Sequence, residues 1–208
     1  MHAGHVYLVE DDDSVRHSLQ DLLGFAGFQV RAWPHAQGFL DDLPKAAPAV
    51  VVTDMRMPGM NGTELHEALI ERGRNMPVVY ISGESSLAQG IRAMKLGAQD
   101  FLVKPFTREA ILKAVASGIE KDRIQMQRLI HQARFDEALT HLAPRERQVL
   151  ELLIKGYRNQ EIMNELQISL PTAKQYKSQL MRKLGARSLS EIVKLSAGLN
   201  TRHEPSSH

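Results

Sequence analysis

Five short apolar runs, alternating with helical patterns, constrain the first half of this chain more than any other feature. The runs cover residues 5–9, 28–33, 49–53, 77–81 and 100–103 and are rich in Val, Ile and aromatic side chains. Two of them are too apolar to leave a wet face, so they belong in a parallel sheet covered on both sides. Between the runs, Val15, Leu19, Leu22, Leu23 and Ala26 fall at i, i+4, i+7, i+8 and i+11, one face of a helix. Residues 86–96 and 107–116 have the same periodicity. Repeated β-then-α units joined by right-handed crossovers make a doubly wound, five-stranded α/β domain.

The second half is different. From residue 106 the helical pattern continues, with Leu112, Val115, Ile119, Asp122, Met126, Leu129 and Ala133 at strict 3–4 spacing and Asp122 as the one polar break. Such a stripe is either a coiled-coil seam or a helix packed back on its own domain. Four further helices are expected at 144–155, 158–165, 170–184 and 188–199. Gly156 and Gly185 stand where helix C-caps need a left-handed residue. The organisation read from these patterns is an α/β domain over 1–118, a helical linker over 119–139, an all-α domain over 140–200 and a disordered polar tail over 201–208.

Charge separates the halves too. Residues 1–118 hold 11 Lys+Arg against 14 Asp+Glu, a net of −3, and residues 119–208 hold 15 against 10, a net of +5. A basic half joined to an acidic one suggests either a polyanion partner or a merely solvated surface. With no cysteine there is no disulfide framework and no thiolate metal site. The nine histidines are scattered without H-x-x-x-H spacing, so no zinc is expected. No signal peptide opens the chain and no apolar run approaches the ~20 residues of a membrane span. A cytoplasmic protein without a membrane partner is expected.

In doubly wound sheets the functional site lies beyond the carboxyl ends of the strands. The residues leaving the strands here are Glu10-Asp11, Asp54, Ser82 and Lys104. Three converging carboxylates repel one another unless a cation joins them. Hard oxygen ligands of this kind suit Mg²⁺. An Asp can act as a nucleophile and form an aspartyl-phosphate, while Lys104 offers a compact positive charge to phosphoryl oxygens. Within the run 10–13, Glu10 and Asp11 are assigned to the metal, and Asp12 and Asp13 to the start of the next helix.

Residues 4–118 resemble the receiver domain of two-component response regulators, a flavodoxin-like fold. The resemblance rests on Val9-Glu10-Asp11-Asp12, on the stretch from Val52 through Asp54, Pro58 and Gly62, on Ile81-Ser82-Gly83, and on the stretch from Gly97 through Lys104-Pro105-Phe106. It implies that Asp54 takes the phosphoryl group. It also implies that Glu10, Asp11, Asp54 and the Arg56 carbonyl surround Mg²⁺, that Ser82 is the switch hydroxyl and that Phe101 is the switch aromatic.

From Ser169 to Arg187 there are five basic residues and no acidic one. On a helix over 170–184, Ala173, Tyr176, Leu180 and Leu184 share one face, and Lys174, Gln175, Ser178 and Arg182 share the opposite one. The polar face mixes base-readable groups with cations, as a helix in the major groove needs, and Lys177 on the flank suits phosphate. The motifs Pro144-Arg145-Glu146, Gly156-Tyr157, Leu170-Pro171-Thr172 and Lys183-Leu184-Gly185 resemble the LuxR-type helix-turn-helix. With the receiver, the chain resembles the NarL/FixJ group. This chain departs from that pattern at Ala143, Ala173, Tyr176 and Ser178, which leaves the DNA sequence it reads open. The expected DNA-binding set is Thr172, Lys174, Gln175, Lys177, Ser178, Arg182 and Lys183. The last helix is expected to pair two copies through Leu189, Ile192, Val193 and Ser196. Expected partners are a sensor histidine kinase, promoter DNA, RNA polymerase and a second copy of the chain on phosphorylation.

Two rival readings remain: a Mg²⁺-dependent phosphohydrolase with an Asp nucleophile, and a receiver acting only through protein partners. Against the first, the position two residues after Asp54, where such enzymes carry a second acid, is Arg56. Against the second stands the basic helix. The chain is therefore expected not to be an enzyme.

Overall fold

The structure is a computed structural model that describes residues 4–83 and 87–200. The chain divides into two compact units, Met1–Gln127 and Arg128–His208. In the first, β1 (His5–Val9), β2 (Gln29–Trp33), β3 (Ala49–Asp54), β4 (Val78–Ser82) and β5 (Asp100–Val103) form one parallel sheet in the order β2-β1-β3-β4-β5. All pairings are parallel. The strand order reverses between β1 and β3, so their carboxyl ends, with Glu10-Asp11 and Asp54, open into the crevice where such sheets bind ligands.

The helices of this unit are α1 (Asp13–Phe25), α2 (Ala36–Asp41), α3 (Gly62–Glu71), α4 (Leu87–Lys95) and the first part of α5 (Arg108–Thr140). β3 is buried along its whole length. Alternate strand residues feed two cores. Leu19, Leu23, Ile111, Val115 and Ile119 pack against Val6, Leu8, Val50 and Val52 on one face. Phe39, Leu65, Leu69 and Ala93 pack with Tyr7, Val51 and Tyr80 on the other. The α1 stripe is shorter than its periodicity suggests, because the helix ends at Phe25 and Ala26 is exposed. The sequence pattern did not place α2 and α3. α2 is only six residues long, and α3 follows a turn dense in Pro, Gly and Asn.

Asp122 is not a break in the α5 stripe. It is buried at 2% exposure and its Oδ2 accepts the Ala49 amide at 2.8 Å, supplying a partner to the first residue of β3. Val115 and Ile119 are buried against the sheet, while Leu129 is half exposed at 51%. The first half of the stripe therefore packs back on its own domain, and its polar member belongs to that packing. Gly118 allows the close approach: a Cβ there would lie 2.6 Å from Val50 Cγ2.

The second unit packs the end of α5 with α6 (Pro144–Ile154), α7 (Asn159–Leu166), α8 (Leu170–Lys183) and α9 (Leu189–Asn200). Phe135, Val149, Leu153, Ile162, Ala173, Leu180 and Ile192 form its core. Gly156 and Gly185 adopt φ of 88° and 62° at the ends of α6 and α8, as the sequence pattern requires. Residues 201–208, expected to be disordered, lie outside the described residues.

Helix α6 starts with half a cap. Glu146 Oε2 accepts the Ala143 amide at 2.9 Å, but Ala143 has no side-chain oxygen to accept an amide in return. Its φ of −62° and ψ of 154° already suit an N-cap residue. Ala143→Ser is therefore expected to complete the capping box and stabilise this unit by about 1 kcal/mol. Thermal unfolding of the two proteins side by side checks this, and an unchanged or lowered midpoint would contradict it.

Candidate functional site

At the carboxyl ends of β1, β3 and β5 the acidic pocket is assembled by backbone geometry. β1 delivers Glu10 and Asp11, and β3 ends on Asp54. A carboxylate oxygen of each lies within 4.8 Å of the other two. Lys104, just after β5, bridges two of them: its Nζ donates to Asp54 Oδ2 at 2.7 Å and to Glu10 Oε2 at 2.9 Å. Asp54 Oδ1 accepts the Arg56 amide at 2.8 Å, which fixes the carboxylate plane. Glu10 is 1% exposed and Asp54 8%. Burial pushes the Glu10 carboxyl above its ordinary value, and the Asp54 charge adds to this while Lys104 opposes it. Burial alone would pull Lys104 down, but its hydrogen bonds to Asp54 and Glu10 outweigh that and hold its ammonium above the usual value. One ammonium against three carboxylates leaves an excess of negative charge, the electrostatic condition for a divalent cation site.

The neighbours of the pocket are set just as firmly. Asp12 leaves the cluster and caps α1, accepting the Val15 amide at 2.9 Å, while Asp13 pairs with Arg16 in the first turn. The division of the acidic run into pocket and helix start is thus the one the strand end dictates. Ser82 closes β4, is 1% exposed, and its carbonyl accepts the Lys104 amide at 2.7 Å. The bond from Lys104 to Pro105 is cis. Phe101 is partly buried beside the core of the α3 face. Gly62 had no role in the sequence reading beyond its motif. A Cβ on it would lie 2.4 Å from the Asp54 carbonyl oxygen, and its amide donates to Met55 at 3.1 Å. Only glycine lets α3 start this close to the strand end, and the Asn61-Gly62 pair was the available signal. Asn61 then caps α3 by accepting the Thr63 and Glu64 amides.

In the helical unit, α7, a turn at Gln167 and α8 form a helix-turn-helix. Gln167 takes the left-handed conformation with φ of 51°. Ser169 caps α8 through the Thr172 amide at 3.3 Å, and the two hydroxyls are 2.7 Å apart. Ala173, Leu180 and Leu184 are buried and Tyr176 partly so. Lys174, Gln175, Ser178 and Arg182 are exposed together on the opposite face, and Lys177 and Thr172 are half-buried on its flanks. This is the division that helical periodicity sets for a recognition helix.

The description "Response regulator receiver domain" matches residues 6–116, and "Bacterial regulatory proteins, luxR family" matches residues 140–196. Transcriptional regulatory protein FixJ of Bradyrhizobium diazoefficiens is 38% identical over 93% of this chain and 94% of its own length. Response regulator protein TodT of Pseudomonas putida is 32% identical over 95% and 87%. Among solved structures, the response regulator StyR superposes with a TM-score of 0.75 at 38% identity, covering 93% of this chain and 98% of StyR. Full-length FixJ from B. japonicum superposes with a TM-score of 0.58 at 37% identity, covering 97% and 99%. The chain is a response regulator of the NarL/FixJ group. It joins a receiver domain to a LuxR-type DNA-binding domain, in a family of transcription regulators, and this architecture implies a sensor kinase and DNA as partners. Among the described residues of the regulator, no helix is long and apolar enough to cross a membrane.

Two expectations about the regulator meet further observations. Lys183, expected to reach DNA phosphate, donates from its Nζ to the buried Glu146 carboxylate at 2.7 Å, tying α8 to α6. That hydrogen bond, with the Ala143 amide, holds the Glu146 carboxyl below its ordinary value. The sequence signal was present in both motifs but nothing in one dimension joins positions 146 and 183. The α9 surface also differs from expectation. Ile192 is 0% exposed and Ser196 8%, because both turn into the core of their own unit. α6 packs against α9, and the end of α5 reaches it as well, with Gln132 Nε2 donating to the Leu195 carbonyl at 3.1 Å. Leu189 packs partly against the same core. Of the four residues expected to pair two copies, Val193 alone is exposed, at 38%.

Proposed function

We propose that Asp54 is the phosphoacceptor of this regulator and that its phosphorylation controls dimerisation and sequence-specific DNA binding. The single observation that supports this most is the Asp54 carboxylate at the strand end, held by Lys104 and the Arg56 amide beside two further acids. In the transfer, an Asp54 oxygen attacks the phosphorus of a phosphohistidine; the new P–O bond forms as the P–N bond breaks, and the imidazole leaves with its electron pair and takes up a proton. The three carboxylates and the Arg56 carbonyl are the hard oxygen set that suits Mg²⁺, which when bound neutralises charge on the phosphoryl oxygens. Lys104 then exchanges a carboxylate partner for a phosphoryl oxygen, and the Ser82 hydroxyl turns inward to donate to another. Phe101 follows into the space that Ser82 leaves.

The domain limits that fit this function are a receiver over 1–118, a helical linker over 119–139 and a DNA-binding domain over 140–200. The division into compact units after Gln127 falls inside that linker. Dimerisation follows from remodelling of the receiver surface at α4, where Ile91 and Met94 are already 47% and 56% exposed. Pairing through α9 then uses Val193 first, since Ile192 and Ser196 are covered. The regulator works in the cytoplasm with RNA polymerase as its downstream partner, and is not an enzyme.

Sedimentation velocity with and without a small phosphodonor and Mg²⁺ tests this reading. The expected result is a shift from monomer to dimer in the unsubstituted chain and none in Asp54→Asn. An unchanged mass over a wide concentration range, under conditions where the phosphoryl adduct forms, would overturn the link between phosphorylation and assembly.

A further inference from the structure

The α3 face of the receiver core holds a polar pair that the phosphoacceptor pocket does not use. Tyr80 in β4 is 0% exposed and His66 in α3 is 2% exposed. The Tyr80 hydroxyl and His66 Nδ1 are 3.0 Å apart, with the rings tilted at 51°. Burial, helped by the positive charge of Lys121, drives His66 down to about 4, so the imidazole is neutral at pH 7. Burial raises the Tyr80 phenol, so it too stays neutral. The bond joins two neutral groups in a region where an apolar pair would fill the same space, and buried polar groups that specify one arrangement are a recurrent use of such pairs.

Its place in the sheet is what gives it meaning. Tyr80 is the register partner of Phe101 across β4 and β5, and both face the core on the α3 side. Ser82 lies two residues along the same strand and so on the same face. On the same face of the sheet, α4 runs close over Phe101: a Cβ on Gly90 would be 3.8 Å from the ring. Phe101 is therefore flanked by Tyr80 on the adjacent strand and by α4. His66 sits one helical turn from Gly62, which abuts the Asp54 carbonyl. A line of neighbours thus runs from the strand end at Asp54 through α3 and the His66–Tyr80 bond to Phe101 on the adjacent strand, separate from the route through Ser82 and Lys104.

The geometry points to His66 as a positioning residue for the switch: by holding the Tyr80 hydroxyl it fixes the aromatic wall beside Phe101, so that Phe101 has two discrete seats and no continuum between them. This rests on the switch role proposed above for Phe101. A bistable element converts a small change at the pocket into a population shift, whereas a loose wall would spread the change over many positions.

Fluorine NMR on the full chain tests this. Of the six phenylalanines labelled with 4-fluorophenylalanine, Phe101 is assigned by the resonance lost in Phe101→Leu. In the unsubstituted chain, its resonance is expected to take one position without a small phosphodonor and Mg²⁺ and another with them. In Tyr80→Leu, which adds no seventh fluorinated ring, and in His66→Leu it should lie between those positions in both conditions, with the phosphodonor shift reduced to less than about half. The double variant should be no worse than either single one, since both remove the same bond. His66→Gln, whose amide can donate or accept, should restore the two positions. Adduct yield by intact mass should stay unchanged throughout. Variants that melt earlier but keep the full shift would overturn the proposal, leaving the pair a packing feature. A Phe101 resonance that stays still in the unsubstituted chain, while the adduct forms, would sink the switch assignment and this proposal with it.

Discussion

Asp54→Asn is expected to reduce the phosphoryl adduct to background when the regulator is incubated with a small phosphodonor and Mg²⁺. Intact mass is the readout. The reason is local: Asn keeps the shape and can still accept the Arg56 amide, but it has no anionic oxygen to attack phosphorus. It also removes one negative charge from the Lys104 bridge, so the fold is expected to survive and a loss of adduct is chemical. Asp11→Asn should lower the yield differently. It takes away one of three carboxylates in the cluster, so higher Mg²⁺ concentration should restore much of the adduct. No Mg²⁺ concentration should rescue Asp54→Asn. Asp12→Asn is the control: Asp12 caps α1, and Asn caps a helix about as well as Asp, so its yield should match the unsubstituted chain. An adduct of equal yield in Asp54→Asn would move the phosphoacceptor elsewhere.

The receiver half was legible because its chemistry sits at strand ends, and strand ends are written as apolar runs that stop at an acid or a lysine. The sheet, the acid cluster at Glu10, Asp11 and Asp54, and the partition of Asp12 into a cap all follow from the continuous apolar runs and the position of the last apolar residue in each. What could not be read were pairings across long sequence separations. Asp122 looks like a defect in a helical stripe until its carboxylate is seen on the Ala49 amide, 73 residues away. Lys183 looks like one more cation on a basic helix until Glu146 is found beneath it. Ile192 and Ser196 look like one side of α9, but periodicity gives a face without saying what covers it. The covering comes from α6 and from the end of α5, a stretch whose pattern allowed two packings. Each of these has the same source: the pattern along one element fixes direction, and only the packed neighbour fixes use.

The DNA-binding half yields the second large effect, a separation of two kinds of contact on one helix. Lys174 and Gln175 are exposed near the N-terminal end of α8, the part of a recognition helix that reaches base edges. Lys174 can donate to guanine and Gln175 can pair with adenine, each worth about 1–3 kcal/mol of discrimination. Lys174→Ala and Gln175→Ala should therefore flatten preference at particular base pairs. Lys177 is half-buried on the flank, where a cation meets phosphate, and Lys177→Ala should weaken binding to every duplex and reduce the salt slope by about one unit. Arg182, exposed and further along, should behave like Lys177, while substitutions at Thr172 and Ser178 should have smaller effects on the contacts beside them. Fluorescence anisotropy on single-base operator variants at two salt concentrations separates the classes. A uniform loss from both Lys174→Ala and Lys177→Ala would mean that α8 lies in the groove in another orientation. Lys183→Ala belongs to neither class. It strands the buried Glu146 carboxylate, so it should lower the melting temperature of the helical unit while leaving the salt slope of the folded protein unchanged. Because Lys183 holds the Glu146 carboxyl below its ordinary value, the stability this pair supplies is present above the unfolded carboxylate value of about 4.3 and is lost as pH falls through the lower folded value. Melting curves taken from neutral pH into that acid range should therefore decline less steeply in Lys183→Ala than in the unsubstituted chain. An equal decline, or a salt slope that falls by a full unit, would return Lys183 to the DNA.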